Sequence, residues 1–219
     1  MTDAMIEVGE QGPYHVTGGV PLVRTSKVES EQGEPIAWSV DERLEAKDEY
    51  WLCRCGASDN KPYCAGKHQD SGFDGSDAAP TDGYSERAKT LGGTGVAIVD
   101  DRGICSHAGF CANRMTNVWK AAKLIDDDPE LQKQIVEMVS RCPSGALTYT
   151  VDGVATEPEL PVQIAVQRDG PLLVTGGIRV TRSDGQTLEV RNRMALCRCG
   201  HSNIKPLCDG THKEIGFTG

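Results

Sequence analysis

At 219 residues the chain has room for one large domain or two to three small ones, and its 38% apolar and 5% aromatic content is thin for a single generous core. A formal net charge of -9 argues against a nucleic-acid partner, which would call for a basic face. No apolar run reaches the ~18 residues that a membrane span needs, and Met1-Thr2-Asp3-Ala4-Met5 lacks the basic and apolar regions of a signal peptide. The expected setting is therefore reducing and cytoplasmic, where nine cysteines, an odd number, point to metal ligation over disulfides.

In chain order, the first signal is a duplication. Gly12-Pro13-Tyr14-His15-Val16-Thr17-Gly18-Gly19-Val20 returns as Gly170-Pro171-Leu172-Leu173-Val174-Thr175-Gly176-Gly177-Ile178. Trp51-Leu52-Cys53-Arg54-Cys55-Gly56 returns as Ala195-Leu196-Cys197-Arg198-Cys199-Gly200. The offset is 158 residues at Gly12 but 144 at Cys53, so the first copy carries 14 extra residues, expected in the polar stretch from Thr25 to Asp48. Such a repeat outranks other organisational signals. After each Gly-Gly turn, Val20–Arg24 and Ile178–Arg182 read as short strands, and Thr187–Arg191 alternates as a half-buried strand after the Ser183-Asp184-Gly185 turn. A copy of about 50 to 60 residues buries too little surface to stand alone, so the two are expected to pack on each other in a shared β structure.

Between the copies, after a polar linker with Ser71, Gly72, Gly75, Ser76 and Pro80, lies an insert. Within it Gly95–Val99 reads as a strand, Asn117–Leu124 as a short helix, and Asp128-Pro129-Glu130 as the start of a longer one. Leu131, Ile135, Met138 and Val139 keep one face of that helix apolar. Leu147–Val151 then reads as a strand turned by Asp152-Gly153. Leu91-Gly92-Gly93-Thr94-Gly95 falls short of a dinucleotide-binding pattern and reads as a loop, and Asp126-Asp127-Asp128 as a helix start. The expected domains are 1–74, 82–159 and 160–219, and the expected class is α+β, with two β-rich copies packed together and flanking an α+β insert.

Every cysteine falls into a set of three. Cys53, Cys55, Cys64 with His68, and Cys197, Cys199, Cys208 with His212, share the spacing C-x-C-x8-C-x3-H. Cys105, Cys111 and Cys142 form the third set. Thiolates with an imidazole suit zinc, copper(I) or iron–sulfur clusters, and three Cys with one His also make a closed structural zinc site. Lys61 and Lys205, each before a motif proline, are placed to donate hydrogen bonds near these sites, whereas His15 and His201 have no matching ligand set.

The repeated segment resembles the CDGSH iron–sulfur family, whose pattern is C-x-C-x2-[ST]-x3-P-x-C-D-G-[STA]-H. The second copy matches throughout, with Ser202, Pro206, Asp209, Gly210 and Thr211 at the other positions. The first keeps Ser58, Pro62 and Gly66 but has Ala65 for Asp and Lys67 for the small residue. The resemblance covers most of residues 12–74 and 170–219. It implies one [2Fe-2S] cluster per copy, and association of the copies within the chain as mitoNEET-like subunits associate between chains. Imidazole in place of thiolate raises a cluster's potential, and its ability to take a proton makes acid lability an expectation at His68 and His212.

The middle set resembles single-cluster ferredoxins, in which C-x2-C-x2-C and a remote Cys-Pro supply four ligands. Here Ala108 stands at the second position, and Cys105-Ser106-His107-Ala108-Gly109-Phe110-Cys111 resembles the divergent mono-cluster ferredoxin modules often joined to CDGSH repeats. Three thiolates imply a [3Fe-4S] cluster. The alternative is [4Fe-4S] with His107 as fourth ligand, His107 otherwise lying nearby as an outer group. The expected function is one-electron transfer or redox sensing between donor and acceptor proteins, without substrate turnover. Cluster or iron delivery, and a structural zinc protein presenting an interaction surface, are the alternatives.

Overall fold

The computed structural model describes residues 4–93, 95–125 and 128–219; the N-terminal reading at Met1-Thr2-Asp3, the loop reading at Thr94 and the helix-start reading at Asp126 and Asp127 lie outside the described residues. The strands in order are β1 (Met5–Val8), β2 (Tyr14–Thr17), β3 (Leu22–Glu29), β4 (Pro35–Leu44), β5 (Glu49–Leu52), β6 (Lys89–Gly92), β7 (Val96–Asp100), β8 (Leu147–Val151), β9 (Val154–Thr156), β10 (Gln163–Gln167), β11 (Leu172–Thr175), β12 (Arg179–Thr181) and β13 (Arg193–Leu196). The helices are α1 (Tyr84–Arg87), α2 (Val118–Ala121), α3 (Pro129–Ser140) and α4 (Thr211–Glu214), making the fold α+β. The chain divides into two compact units, one built from Met1–Ser26, Val40–Thr81 and Leu160–Gly219, the other from Lys27–Ser39 and Asp82–Glu159.

In the first unit the two copies share their sheets by exchanging a strand. One sheet has the order β12-β1-β2-β5 and the other β13-β11-β10-β3-β4. β12, from the second copy, pairs in parallel with β1 in register Ile6↔Val180, and β3, from the first, pairs in parallel with β10 in register Ala165↔Val23. The Gly-Gly turns carry the crossing: Gly18, Gly19, Gly176 and Gly177 all have φ between 63° and 87°, open to glycine at no steric cost. At Gly176 a Cβ would also meet the Val162 backbone at 2.6 Å. Alternation in β1, β2 and β5 sends Ile6, Val8, Tyr14, Val16, Tyr50 and Leu52 inward, whereas β13 is buried along its whole length. The core so formed closes over Leu22, Ile164, Leu172, Val174, Val180 and Leu196, each no more than 2% exposed.

One expected strand is absent. Thr187–Arg191 meets β12 through the isolated bridge Thr181↔Thr187 and the bond from Leu188 N to Val180 O, and the chain then leaves for β13 without forming a strand there. β12 is three residues long and spends one edge on β1, so it offers the alternating run a short edge to pair with.

The second unit has the antiparallel sheet β6-β7-β8-β9, covered by α2 and α3 over a core of Ile98, Val118, Ile125, Ile135, Val139 and Leu147. Asp128 caps α3 by accepting from Glu130 N and Leu131 N, with Pro129 at its first position. Asp152 and Gly153, at φ 50° and 79°, make the left-handed two-residue turn from β8 to β9. The 14 extra residues of the first copy extend the β3–β4 hairpin, whose outer part, Lys27–Ser39, belongs to this unit.

Because β3 completes the other copy's sheet, Leu22→Ala should do more than open a cavity. A cost of about 2–5 kcal/mol in urea unfolding is expected, together with reduced metal content at the second copy's cysteines, measured on single-site variants of each copy.

Candidate metal centres

Each copy folds its metal motif by the same local bonds. Cys53 N donates to Pro62 O at 2.7 Å and Cys64 N to Trp51 O at 2.9 Å; Cys197 N donates to Pro206 O at 2.7 Å and Cys208 N to Ala195 O at 2.9 Å. The two cysteine limbs are thereby zipped together directly after β5 and β13. The motif serine closes the loop between them: Ser58 Oγ donates to Tyr63 O at 2.7 Å and Ser202 Oγ to Leu207 O at 2.6 Å. Gly66 and Gly210, both left-handed, then start the short helical turn that carries His68 or His212 back to the cysteines.

The donors gather in pairs. Cys53 Sγ lies 3.8 Å from Cys55 Sγ, and Cys64 Sγ 3.6 Å from His68 Nδ1. In the second copy the separations are 3.7 Å for Cys197 and Cys199 and 3.4 Å for Cys208 and His212. A tetrahedral metal with bonds of about 2.0–2.3 Å sets its ligand atoms at such spacings, so each pair is sized for one ion. Among the described residues no three His, Cys, Asp or Glu side chains are grouped to hold a single ion. Each copy thus offers two donor pairs of thiolate and imidazole, a set that suits iron–sulfur clusters or zinc. Burial pushes Cys208 up to about 12 and raises Cys55. Between Cys197 and Cys199, the Cys199 thiol bonds to Cys197 and, with backbone N–H groups, brings Cys197 down to about 6 while Cys199 itself rises. All nine cysteines are free of disulfides.

The two sites differ in cover and in bracing. Cys197, Cys199, Cys208 and His212 are all buried, whereas only Cys53 is buried in the first copy. Asp209 accepts hydrogen bonds from Asn203 N, Asn203 Nδ2, Thr211 N and Thr211 Oγ1 at 2.6–3.0 Å. Partial burial works to raise its carboxyl, but these bonds outweigh it and hold the group at about 2. The first copy has Ala65 there, and its loop is spanned instead by the exposed Lys67–Asp59 pair at 3.2 Å. Such an exposed pair contributes at most about 1 kcal/mol.

Sequence reasoning missed the residue between the first two cysteines. Arg54 and Arg198 are each 1% exposed. Arg54 donates to Gly9 O, Gly75 O and Asp77 Oδ1, the last at 2.6 Å, and Asp77 also accepts from Ser183 N and Oγ. Arg198 donates to Gly170 O, Gln167 O and Gly219 O, and burial lowers it to about 10. The repeat of C-R-C-G in both copies was the available signal. Tyr14, fully buried, donates to Cys197 O at 2.7 Å across the copies, and Leu172 at its equivalent has no hydroxyl to return the bond. The metal loops also touch. A Cβ on Gly56 would lie 2.7 Å from Cys199 O, and one on Gly200 2.7 Å from Cys55 O. Lys205 Nζ bonds to Ser202 O, and Lys61 Nζ sits 6.0 Å from the Phe217 ring centroid. His201 is exposed, with Nδ1 2.8 Å from Cys199 O; His15 stacks on Trp51 between Glu7 and Glu49, on the sheet.

In the second unit Cys105, Cys111 and Cys142 line one cavity of about 180 Å³, together with His107 and Ala108. Cys105 Sγ accepts from His107 N at 3.4 Å and lies 3.6 Å from Arg102 Nη1, while Cys142 Sγ is 3.8 Å from Ser144 Oγ. Burial raises Cys111. His107 is exposed at φ 54°, and its backbone N–H serves the sulfur of Cys105.

Two outcomes follow from this geometry. Asp77→Ala leaves Arg54 buried without its carboxylate, and an expected loss of about 3–5 kcal/mol is measurable by urea unfolding. Asp209→Ala should bring metal loss from the second copy, followed with a chelator at neutral pH, up to the faster rate of the first. The Asp209 carboxyl lies below its ordinary value, so its contribution is complete above about pH 4 and fades only towards pH 2, and mild acid should not mimic the substitution.

A family model described as an iron-binding zinc finger of CDGSH type matches residues 11–69 and 169–213. A second, described as a divergent 4Fe-4S mono-cluster, matches residues 91–152. No curated protein and no solved structure gives a significant match. With both ligand loops inside the first model's segments, and Cys105, Cys111 and Cys142 inside the second's, the chain is an iron–sulfur-binding protein of tandem CDGSH type with an inserted divergent mono-cluster ferredoxin domain.

Proposed function

We propose that the chain carries single electrons, or senses redox state, through two [2Fe-2S] clusters and one larger cluster. Cys53, Cys55, Cys64 and His68 would hold the first, and Cys197, Cys199, Cys208 and His212 the second. Cys105, Cys111 and Cys142 would hold a [3Fe-4S] cluster, or a [4Fe-4S] cluster if His107, which lines the same cavity, supplies a fourth ligand. When bound, such clusters take up and release one electron at a time at potentials tuned by ligands and hydrogen bonds. The chain's own residues provide the rest. Buried thiols and backbone N–H donors set the electrostatics, Arg54 and Arg198 fix the loops, and the second copy's cover excludes water.

The observation that carries this reading is the backbone contact of Gly56 with Cys199 and of Gly200 with Cys55, which brings the two metal loops together. Separate structural zinc sites would have no use for that approach. In this reading the chain turns over no substrate and meets donor and acceptor proteins in the cytoplasm, a setting compatible with nine free cysteines. One observation favours cluster delivery as a second reading: the first copy's site is the more open and the less braced.

Anaerobic titration with a reduced flavoprotein, followed by optical and EPR spectra, separates the two. Electron transfer calls for reversible reduction of every centre with iron retained. Movement of iron and sulfide from the first copy to an apo-ferredoxin, without reversible reduction, would replace it with delivery.

A further inference from the structure

We propose that the outer hairpin, Lys27–Ser39, is a working part of the middle centre, and that Lys27 positions its loop and raises its potential. The inference rests on the reading that Cys105, Cys111 and Cys142 hold an iron–sulfur cluster. In the second copy β12 turns at Ser183–Gly185 into the irregular Thr187–Arg191 run; the first copy carries the longer hairpin.

Its contacts fall on the segments next to the cavity's cysteines. Lys27 Nζ donates to Ala108 O at 2.6 Å, at the position where the second ferredoxin cysteine is missing. Trp38 packs against Phe110 at 4.9 Å between ring centroids, and its Nε1 donates to Arg141 O at 3.1 Å, directly before Cys142. The Glu34 carboxylate accepts from Arg114 N, and a Cβ on Gly109 would come within 3.4 Å of Pro35 Cγ. One short hairpin therefore ties the Cys105–Cys111 loop to the approach to Cys142.

The bond from Lys27 is charge-assisted and half-buried, the setting in which such bonds hold a loop. A cation there favours the more negative, reduced form of a cluster, so it raises the potential. The other nearby cation, Arg102, is exposed and lies 3.6 Å from both Cys105 Sγ and Asp100. Lys27 is then a positioning residue whose charge would add to that of Arg102 at the site.

The test is EPR-monitored titration with dithionite on the full chain, comparing wild type with Lys27→Gln, Lys27→Met and Lys27→Arg. The midpoint of the middle centre should fall in Lys27→Gln and Lys27→Met and recover in Lys27→Arg, while the two CDGSH centres stay unchanged. Lys27→Gln keeps a donor, so it reports the charge if Lys27→Met loses the cluster. An unchanged midpoint in Lys27→Gln, or an equal shift in all three centres, would overturn the proposal. A wild-type protein with no middle-centre signal would instead sink the cluster reading beneath it.

Discussion

β3 and β12 each leave the copy that encodes them and pair in parallel with the first strand of the other. The rest of the first unit depends on that exchange. A copy of roughly 50–60 residues cannot bury enough apolar surface alone, and the donated strand supplies the missing edge. It also decides where the metal loops go. With strands interleaved, the loops that follow β5 and β13 meet at Gly56 against Cys199 and Gly200 against Cys55, where only glycine fits. Tyr14 and Asp77 then fasten one copy to the other at Cys197 and Ser183. Fold stability and the juxtaposition of the sites share one cause.

Duplication has not kept the copies equal. Cover and bracing were both stronger in the second copy, and the same few substitutions account for it. Ala65 for Asp209 removes a carboxylate that organises four donors, and Lys67 for Thr211 turns a hydrogen-bonding position into a solvated charge. Trp51 is 47% exposed where Ala195 is buried. A site open at its rim exchanges with partners more readily than one sealed by its own loop. The asymmetry gives one chain two Cys and His sets of the same spacing and different exposure.

What could be read from the sequence was what is local. Ligand spacing, the Asp128-Pro129 cap, the Asp152-Gly153 turn and the apolar face of α3 are each fixed within a few residues, and each is present. Partner choice is not local. Thr187–Arg191 has strand-like alternation, but its ladder to the short β12 is a single bridge at Thr187, so it forms no strand. The polar stretch from Thr25 to Asp48 shows no apolar face because most of β4 is exposed or half-exposed, and its value lies in a few contacts at the tip. Arginine is seldom fully buried, so the repeated C-R-C-G marks Arg54 and Arg198 without showing that they lie buried beneath the metal loops.

In each outer loop the paired donors would hold iron together with inorganic sulfide. Iron, zinc and acid-labile sulfide analysis of anaerobically purified protein, alongside its EPR spectrum, tests this most directly. A coloured protein with iron and sulfide in the amounts set by two [2Fe-2S] clusters and one larger cluster, and very little zinc, is the expected result. A colourless protein with stoichiometric zinc and no sulfide would contradict it.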